Sequence, residues 1–180
     1  YKGAYIRMNN QVPLSRGLGS SAAAIVAGHK AANVLIGNRY SRRELLQMAV
    51  SIEGHPDNVA PAIFGGLVIA QNFAGKTSYV AAKMPPTGLL AFIPKYELKT
   101  RDSRRVLPSE FAYKEAVAAS AISNVAIAAL LTGDLKLAGQ LMAADRFHEP
   151  YRSPLVPEFK KIRQLAEELG AYTTYLSGAG

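Results

Sequence analysis

Residues 13–22 read Pro13-Leu14-Ser15-Arg16-Gly17-Leu18-Gly19-Ser20-Ser21-Ala22, and an alanine-rich run follows them directly. Gly17 and Gly19 allow positive φ and let a ligand approach the backbone closely. The alanine-rich run predicts a helix from Ser20 to about Ile36, which Ser20 or Ser21 can cap. The unpaired N–H groups and the positive dipole end of such a helix form an anion site. A phosphate-holding loop is one interpretation of this pattern, but two glycines followed by serines, taken alone, more often form a flexible loop before a capped helix.

The composition limits the classes of protein that this chain can represent. With 180 residues, 49% of them hydrophobic, the chain can bury the core of one good-sized domain or of two small ones. It contains no cysteine, which excludes a disulfide framework and a thiolate metal site and favours a cytoplasmic location. Its apolar runs are interrupted well short of a membrane span, so we expect no membrane partner. The net charge of +8 suits polyanionic ligands. Because the basic clusters are short and are not interleaved with aromatic residues, we expect no nucleic-acid partner.

The periodicity of the chain predicts a mixture of helices and strands. Ser41 and Glu44 form a capping-box pattern at the start of a second helix. Further helices are predicted at 113–131, which we expect to be long and buried, at 135–144, and from 156 to 170. Strands are predicted at 5–10, 67–70, 78–82, 89–94 and 172–176. The Met-Pro-Pro-Thr-Gly linker at 84–88 predicts a boundary between one domain at 1–85 and another at 86–180.

Residues 53–58 form a second polar stretch, which contains Glu53, His55, Asp57 and Asn58. A structural interpretation is favoured for Asp57, because a Pro-Asp pair is typical of a helix start and the aspartate would be the N-cap. A cap requires neither Glu53 nor His55. These two side chains are therefore candidates for binding or catalysis.

Three motifs resemble those of one superfamily, the GHMP kinases. The stretch P-L-S-R-G-L-G-S-S-A is similar to their phosphate-binding motif, and T-T-Y-L-S-G-A-G at 173–180 is similar to the opening of their third motif. Within the superfamily, G-H-P-D-N-V-A-P-A-I-F-G-G at 54–66 resembles the homoserine kinases. The resemblance covers nearly the whole chain, but the motif near the family's N-terminus is absent. We therefore expect an internal fragment that lacks the N-terminal and C-terminal parts.

The resemblance implies an α+β, two-domain GHMP kinase fold in a partial chain. Its N-terminal, ATP-binding half would be of the ribosomal protein S5 domain 2-like type, and its C-terminal half a ferredoxin-like α/β domain. The implied activity is ATP-dependent phosphorylation of L-homoserine to O-phospho-L-homoserine in threonine biosynthesis, with ATP and Mg²⁺ as cofactors. A homodimer is a possible assembly of such a kinase. Two alternatives stay open, another GHMP small-molecule kinase of the mevalonate or sugar type and a basic RNA-binding domain.

The resemblance also implies a role for individual residues. Ser20 and Glu53 would hold the metal, and Ser20 and Ser21 would position phosphate. Arg152 would bind the substrate carboxylate through its two-pronged guanidinium. No residue is assigned as a catalytic base. The full set for nucleotide binding is Pro13, Leu14, Ser15, Arg16, Gly17, Leu18, Gly19, Ser20, Ser21, Ala22, Gly178 and Gly180, and the substrate set is His55, Asn58, Thr100, Arg104 and Arg152.

Overall fold

The computed structural model describes residues 3–96, 98 and 100–178, and of Thr100 it describes the backbone only. The chain forms two compact units. The first unit contains Tyr1–Leu14 and Leu18–Ala81, and the second contains Ser15–Gly17 and Ala82–Gly180. Helices and a small sheet together make the fold α+β, as the sequence predicts.

The first unit consists of three helices followed by a β-hairpin. The helices are α1 (Ser20–Leu35), α2 (Arg42–Glu53) and α3 (Val59–Phe64), and the strands are β1 (Leu67–Phe73) and β2 (Lys76–Ala82), which pair in a two-stranded sheet. Ala74 and Gly75 join the strands with φ values of 51° and 73°. A two-residue loop with positive φ at both positions is typical of a tight hairpin. The predicted helix at Ser20 and the predicted pair of strands are both confirmed.

The two ends of α2 are fixed by local hydrogen bonds. At its start, the backbone N–H of Glu44 donates to Ser41 Oγ over 3.3 Å, and the N–H of Ser41 donates to Glu44 Oε2 over 2.8 Å. This reciprocal pair is the predicted capping box. At its end, Gly54 adopts the left-handed conformation with φ 90°. That C-cap stops the helix immediately after Glu53.

The core of the first unit lies where α1, α2 and α3 meet. Small side chains on α1 and α3 let the helices approach closely, and Leu46 and Val50 of α2 are each 1% exposed. Phe64 and Tyr79 stack at 4.3 Å between ring centroids, which joins the end of α3 to β2. The buried cluster is Ala22, Leu46, Ala49, Val50, Val59 and Ala60. This packing fixes the N-terminus of α1 and the C-terminus of α2 in one body.

The second unit is helical within the described residues. Its helices are α4 (Thr100–Arg105), α5 (Tyr113–Thr132), α6 (Leu135–Met142), α7 (Glu149–Arg152) and α8 (Phe159–Glu168), with a 3₁₀ turn at Ser153–Leu155. Helix α5 packs on α6, and a Cβ on Gly139 of α6 would overlap the carbonyl oxygen of Tyr172. The close approach requires glycine there, because no side chain has room.

Helix α5 forms as predicted, but the expectation that it is buried is wrong. Its buried side chains are Ala119, Ala126 and Ala129, all on the face toward α6, whereas Val117 and Val125 are about half exposed. By length and composition, α5 is also the one helix of the described residues that could cross a membrane. One such helix is weak evidence for a membrane span, because core helices of soluble proteins can have the same length and apolar composition.

Three segments predicted as strands, at 5–10, 89–94 and 172–176, form no strand in the described part of the chain. Alternating side chains fit a pleated strand, but a strand exists only when a neighbour completes its ladder of hydrogen bonds. The segment at 172–176 is held instead by side chains of α7 and α8.

Replacing Ser41 with alanine should remove the side-chain half of the capping box and destabilise the first unit by ~1 kcal/mol. Urea denaturation of the variant measures this loss. Ser51→Ala is the matched control, because its hydroxyl donates only to the Met48 carbonyl of the same helix, over 2.6 Å. Equal midpoints for the two variants would show that the cap contributes nothing.

Candidate functional site

The glycine loop leads into α1 through a series of left-handed residues. Ser15, Gly17 and Gly19 have φ values of 56°, 65° and 75°. Gly19 is the N-cap of α1, and no side chain caps the helix there. The expectation that Ser20 or Ser21 caps α1 is therefore wrong. The first N–H groups of the helix are left to other acceptors, which is the arrangement of an anion site.

Ser21 connects the start of α1 to the end of α2. Its hydroxyl donates to Glu53 Oε2 over 2.9 Å. Glu53 is the last residue of α2, where the carbonyl groups of the helix already give a negative potential. A carboxylate in that position favours a neighbouring cation. The hydroxyl and carboxylate oxygens are the hard ligands that Mg²⁺ prefers.

Residues 55–58 precede α3, and one of them, Asn58, lies against Gly19 of the glycine loop. Asp57 accepts a hydrogen bond from the ring Nδ1 of His55 and another from the N–H of Asn58, over 3.0 Å. The interpretation of Asp57 as the N-cap of α3 is wrong, because the N-cap is Asn58, without a side-chain bond. A Cβ on Gly19 would lie 3.0 Å from Asn58 Oδ1. Asn58 therefore packs directly on Gly19, and the lack of a Cβ there makes that approach possible.

In the second unit, Ser177 and Gly178 lie against Gly17. Ser177 Oγ donates to the Gly17 carbonyl over 2.9 Å. A Cβ on Gly178 would lie 3.2 Å from the same carbonyl oxygen, and Gly178 has a φ of 59°. The nucleotide-binding residues implied by the resemblance include Gly178 but not Ser177. The serine stands in the quoted T-T-Y-L-S-G-A-G motif, so its position next to the assigned glycine was the available signal.

Arg152 is half-buried and bound to main-chain carbonyls. Its Nη1 donates to the Gly178 carbonyl over 2.7 Å, and its Nε donates to the Ser103 carbonyl over 3.3 Å. Burial lowers the pKa of Arg152, the positive charge of Arg104 lowers it further, and Asp145 opposes both. Among the described residues, neither Arg152 nor Arg104 forms an ion pair with a carboxylate. Two guanidinium groups that repel each other favour an anionic ligand.

Asp145 holds the start of α7, the helix that carries Arg152. Its carboxylate accepts from the N–H groups of Phe147, His148 and Glu149, over 3.0, 2.9 and 2.7 Å. Burial alone would raise the pKa of Asp145, but the three backbone N–H bonds and the neighbouring His148 lower it overall. Asp145 is absent from the predicted site residues, because an aspartate in a polar segment can equally be an exposed surface charge.

The structure thus brings some predicted site residues together within each unit. Ser21 contacts Glu53 and Asn58 contacts Gly19 in the first unit, and Arg152 contacts Gly178 in the second. Ser20 begins α1, one residue before the serine that reaches Glu53. The Thr100 side chain and Gly180 lie outside the described residues. No group of three or more His, Cys, Asp or Glu side chains in the described ranges could hold a metal ion.

Comparison with known proteins identifies relatives along nearly the whole chain. Residues 2–66 match the GHMP kinases N terminal domain, and residues 126–180 match GHMP kinases C terminal. Homoserine kinase of Lactococcus lactis subsp. cremoris (strain MG1363) is 57% identical over 176 residues, 98% of this chain and 60% of the relative. This chain therefore spans about 60% of the length of that curated relative.

Two solved structures have the same fold as this chain. A protein of Listeria monocytogenes is 45% identical with a TM-score of 0.81, and the match covers 96% of this chain and 58% of that one. Homoserine kinase from Cytophaga hutchinsonii ATCC 33406 is 35% identical with a TM-score of 0.79, covering 95% of this chain and 56% of that one. The agreement extends over both units.

Replacing Asp145 with asparagine should destabilise the protein in a pH-dependent way. Because the pKa of Asp145 is lowered in the folded state, its ionised form adds stability above the ordinary value of 3.8, and this stability is lost as the pH falls through the lowered pKa. Urea denaturation should show a large difference between wild type and Asp145→Asn at pH 7 and a smaller one at pH 3. Asp134→Asn is the control, since Asp134 accepts one bond, from the Leu137 N–H over 3.0 Å. A difference that does not change with pH would contradict the role given to Asp145.

Proposed function

The chain belongs to the GHMP kinase family, and we propose that the protein that contains it is a homoserine kinase. It would transfer the γ-phosphoryl group of ATP to the side-chain hydroxyl of L-homoserine, giving O-phospho-L-homoserine and ADP. The 57% identity to a homoserine kinase supports this assignment most directly. Arg104 and Arg152, which form no ion pair with a carboxylate of the described residues, support an anionic substrate.

The glycine loop would hold the phosphates of ATP. Gly17 and Gly19 place backbone in left-handed conformations without the clash of a Cβ, and the N–H groups at the start of α1 are not used by a side-chain cap. Ser20 and Ser21 would position phosphate oxygens. Anions are stabilised at such a helix N-terminus by its unpaired donors and its dipole. Phosphoryl transfer relies mainly on positioning and on charge stabilisation, which this loop and helix supply.

Glu53 and a serine of α1 would hold Mg²⁺, which supplies positive charge to the transferred phosphoryl group when bound. The geometry fits a site with few protein ligands, since Ser21 Oγ lies 2.9 Å from Glu53 Oε2. Mg²⁺ usually takes one or two carboxylates together with water and substrate phosphates. Two serines are candidates for the hydroxyl ligand. The resemblance assigns Ser20 to the metal, and Ser21 contacts Glu53.

The substrate would be recognised by charge. Arg152 offers its guanidinium to the carboxylate of homoserine, with Arg104 adding positive charge nearby. A fork of N–H donors can bind both carboxylate oxygens. His55, Asn58 and Thr100 would complete the substrate set, as the resemblance implies. The protein would act in the cytoplasm on the route to threonine, and its assembly as a homodimer stays a prediction.

The overall proposal is tested by measuring ATP turnover by the full-length protein with homoserine, mevalonate and galactose. We expect homoserine to be the preferred acceptor. Preference for mevalonate or galactose would keep the kinase family but contradict this substrate. A site that binds a charged group rejects analogues that lack it, because its own charges are then left unpaired.

Glu53→Gln should weaken the dependence on Mg²⁺. The variant keeps the shape of the side chain but loses the charge, so the Mg²⁺ concentration for half-maximal activity should rise by at least about tenfold. Glu168→Gln is the control, because Glu168 is exposed and bonds only to Gln164. An unchanged Mg²⁺ dependence in Glu53→Gln would remove this residue from the metal site.

Arg152→Leu should raise the KM for homoserine far more than the KM for ATP. The loss of charge-assisted binding is worth ~3 kcal/mol, which corresponds to a change of about 10²-fold. Arg42→Leu, at an exposed arginine of α2, should leave both constants near the wild-type values. The assignment fails if steady-state kinetics show weaker ATP binding and an unchanged KM for homoserine.

A further inference from the structure

An ion pair between the buried Glu149 and the partly buried Arg163 joins α7 to α8 in the second unit. The carboxylate of Glu149 bonds to Nη2 of Arg163, and Glu149 is 8% exposed. The guanidinium of Arg163 lies 4.6 Å from the centroid of the Phe159 ring, which limits its movement. Glu149 begins α7, so the pair fixes this short helix against α8.

The same two side chains hold the main chain at 174–176. Nη2 of Arg163 donates to the Thr174 carbonyl over 2.7 Å, and the N–H of Leu176 donates to Glu149 Oε2 over 3.3 Å. The segment has no strand partner among the described residues, so these two bonds take the place of ladder bonds. They fix the backbone at two alternate residues immediately before Ser177.

The segment that the pair holds leads directly to the two residues that contact Gly17 and Arg152. Ser177 donates to the Gly17 carbonyl, and the Gly178 carbonyl accepts from Arg152 Nη1. Glu149 and Arg152 are three residues apart on α7, so they lie on the same side of that helix. One helix turn therefore contacts the segment twice, through Glu149 at Leu176 and through Arg152 at Gly178.

The energetics of the pair point to positioning more than to stability. Taking the Glu149 charge out of water, and that of Arg163 partly out of it, costs free energy that their attraction only partly recovers. The ion pair is therefore weak evidence for stability. Within the described residues, Nε of Arg163 is buried without a hydrogen-bond partner, which adds to that cost. An apolar pair of similar volume would fill the same space at no such cost, but it could not bond to the Thr174 carbonyl and the Leu176 N–H.

We propose that Glu149 and Arg163 are positioning residues for the kinase site, which hold Ser177 and Gly178 in register with Gly17 and Arg152. This inference rests on the proposed function, because it takes Arg152 as the group that binds the substrate carboxylate. Without the pair, the segment at 174–178 would move, and Arg152 would lose the carbonyl that directs its Nη1. Misplacement of a binding group by about 1 Å can lower the rate on the order of 10²-fold.

The test uses the full-length double variant Glu149→Leu/Arg163→Met. Both charges are removed together, so no unpaired charge stays buried, and methionine can pack on Phe159. The matched control is Glu115→Leu/Arg146→Met, which removes an exposed ion pair of 2.7 Å from the same unit. For each variant, the melting temperature, kcat and KM for homoserine and for ATP, and the hydrogen exchange of the Leu176 amide are measured.

We expect the double variant to fold and its kcat/KM for homoserine to fall at least about tenfold, with faster exchange at Leu176. The control should match wild type in both measurements. Wild-type kinetics or unchanged exchange at Leu176 in the folded double variant would overturn the proposal. If the double variant does not fold, Arg163→Lys decides by the same criteria. Nη2 of Arg163 serves both Glu149 and the Thr174 carbonyl, and the lysine side chain is one bond shorter, so its ammonium does not reach the position of Nη2.

The experiment also separates this inference from the proposed function. If the wild-type protein prefers mevalonate or galactose, the substrate proposal is wrong, and the ratio of variant to wild-type activity on that acceptor then tests the positioning role. If the wild type phosphorylates none of the three acceptors, the proposed function fails, and exchange at the Leu176 amide alone decides. Slow exchange at Leu176 in the double variant overturns the positioning role in every case.

Discussion

Left-handed backbone at Gly17 and Gly19 is the constraint on which the contacts of the predicted site residues within each unit depend. Gly19 ends the loop as the N-cap of α1, and its missing Cβ leaves room for Asn58. The carbonyl of Gly17 accepts from Ser177, and Gly178 lies against it in a left-handed conformation of its own. A larger residue at either loop position would be strained, since L side chains rarely adopt such φ values. Because glycine has no Cβ, its backbone N–H and C=O groups can lie close to their partners at these two positions.

The local patterns of the sequence predicted those parts of the fold that depend on neighbouring residues. The capping box at Ser41 and Glu44 and the neighbouring strands predicted at 67–70 and 78–82 each involve residues close in the chain, and both are confirmed. The segments at 5–10, 89–94 and 172–176 have strand-like alternation, but a strand needs a distant partner that no local pattern names. The prediction that α5 is buried was wrong for a similar reason. The sequence of α5 is apolar on all sides and does not show which face packs on α6.

The candidate site was predictable at the level of motifs and less so at the level of atoms. The sequence indicated that Ser20, Ser21 and Glu53 belong to one site, but the turn of α1 decides that Ser21 reaches Glu53. Successive residues of a helix point about 100° apart, so a shift of one position changes the neighbour completely. Asp57 was taken for a helix cap, and the structure pairs it with His55. Glu149 and Arg163 matched no motif, since they bond to each other and to the main chain at Thr174 and Leu176, which are distant in sequence.

Three arginines of the second unit, Arg146, Arg152 and Arg163, differ in their hydrogen-bond partners, and this difference explains why Arg152 suits an anionic ligand. Arg163 and Arg146 bond to carboxylates, so their charges are balanced within the protein. Arg152 bonds to the carbonyls of Gly178 and Ser103, which are neutral. A carbonyl fixes the direction of a guanidinium without cancelling its charge. The nearby positive charge of Arg104 repels the guanidinium of Arg152, so the charged form of Arg152 becomes less favourable. A carboxylate that binds there relieves the repulsion between the two arginines and meets a guanidinium that is already oriented, so less conformational freedom is lost on binding. The positive charge that attracts the ligand is therefore that of Arg152 itself, and the carbonyl groups of Gly178 and Ser103 orient the guanidinium that carries it.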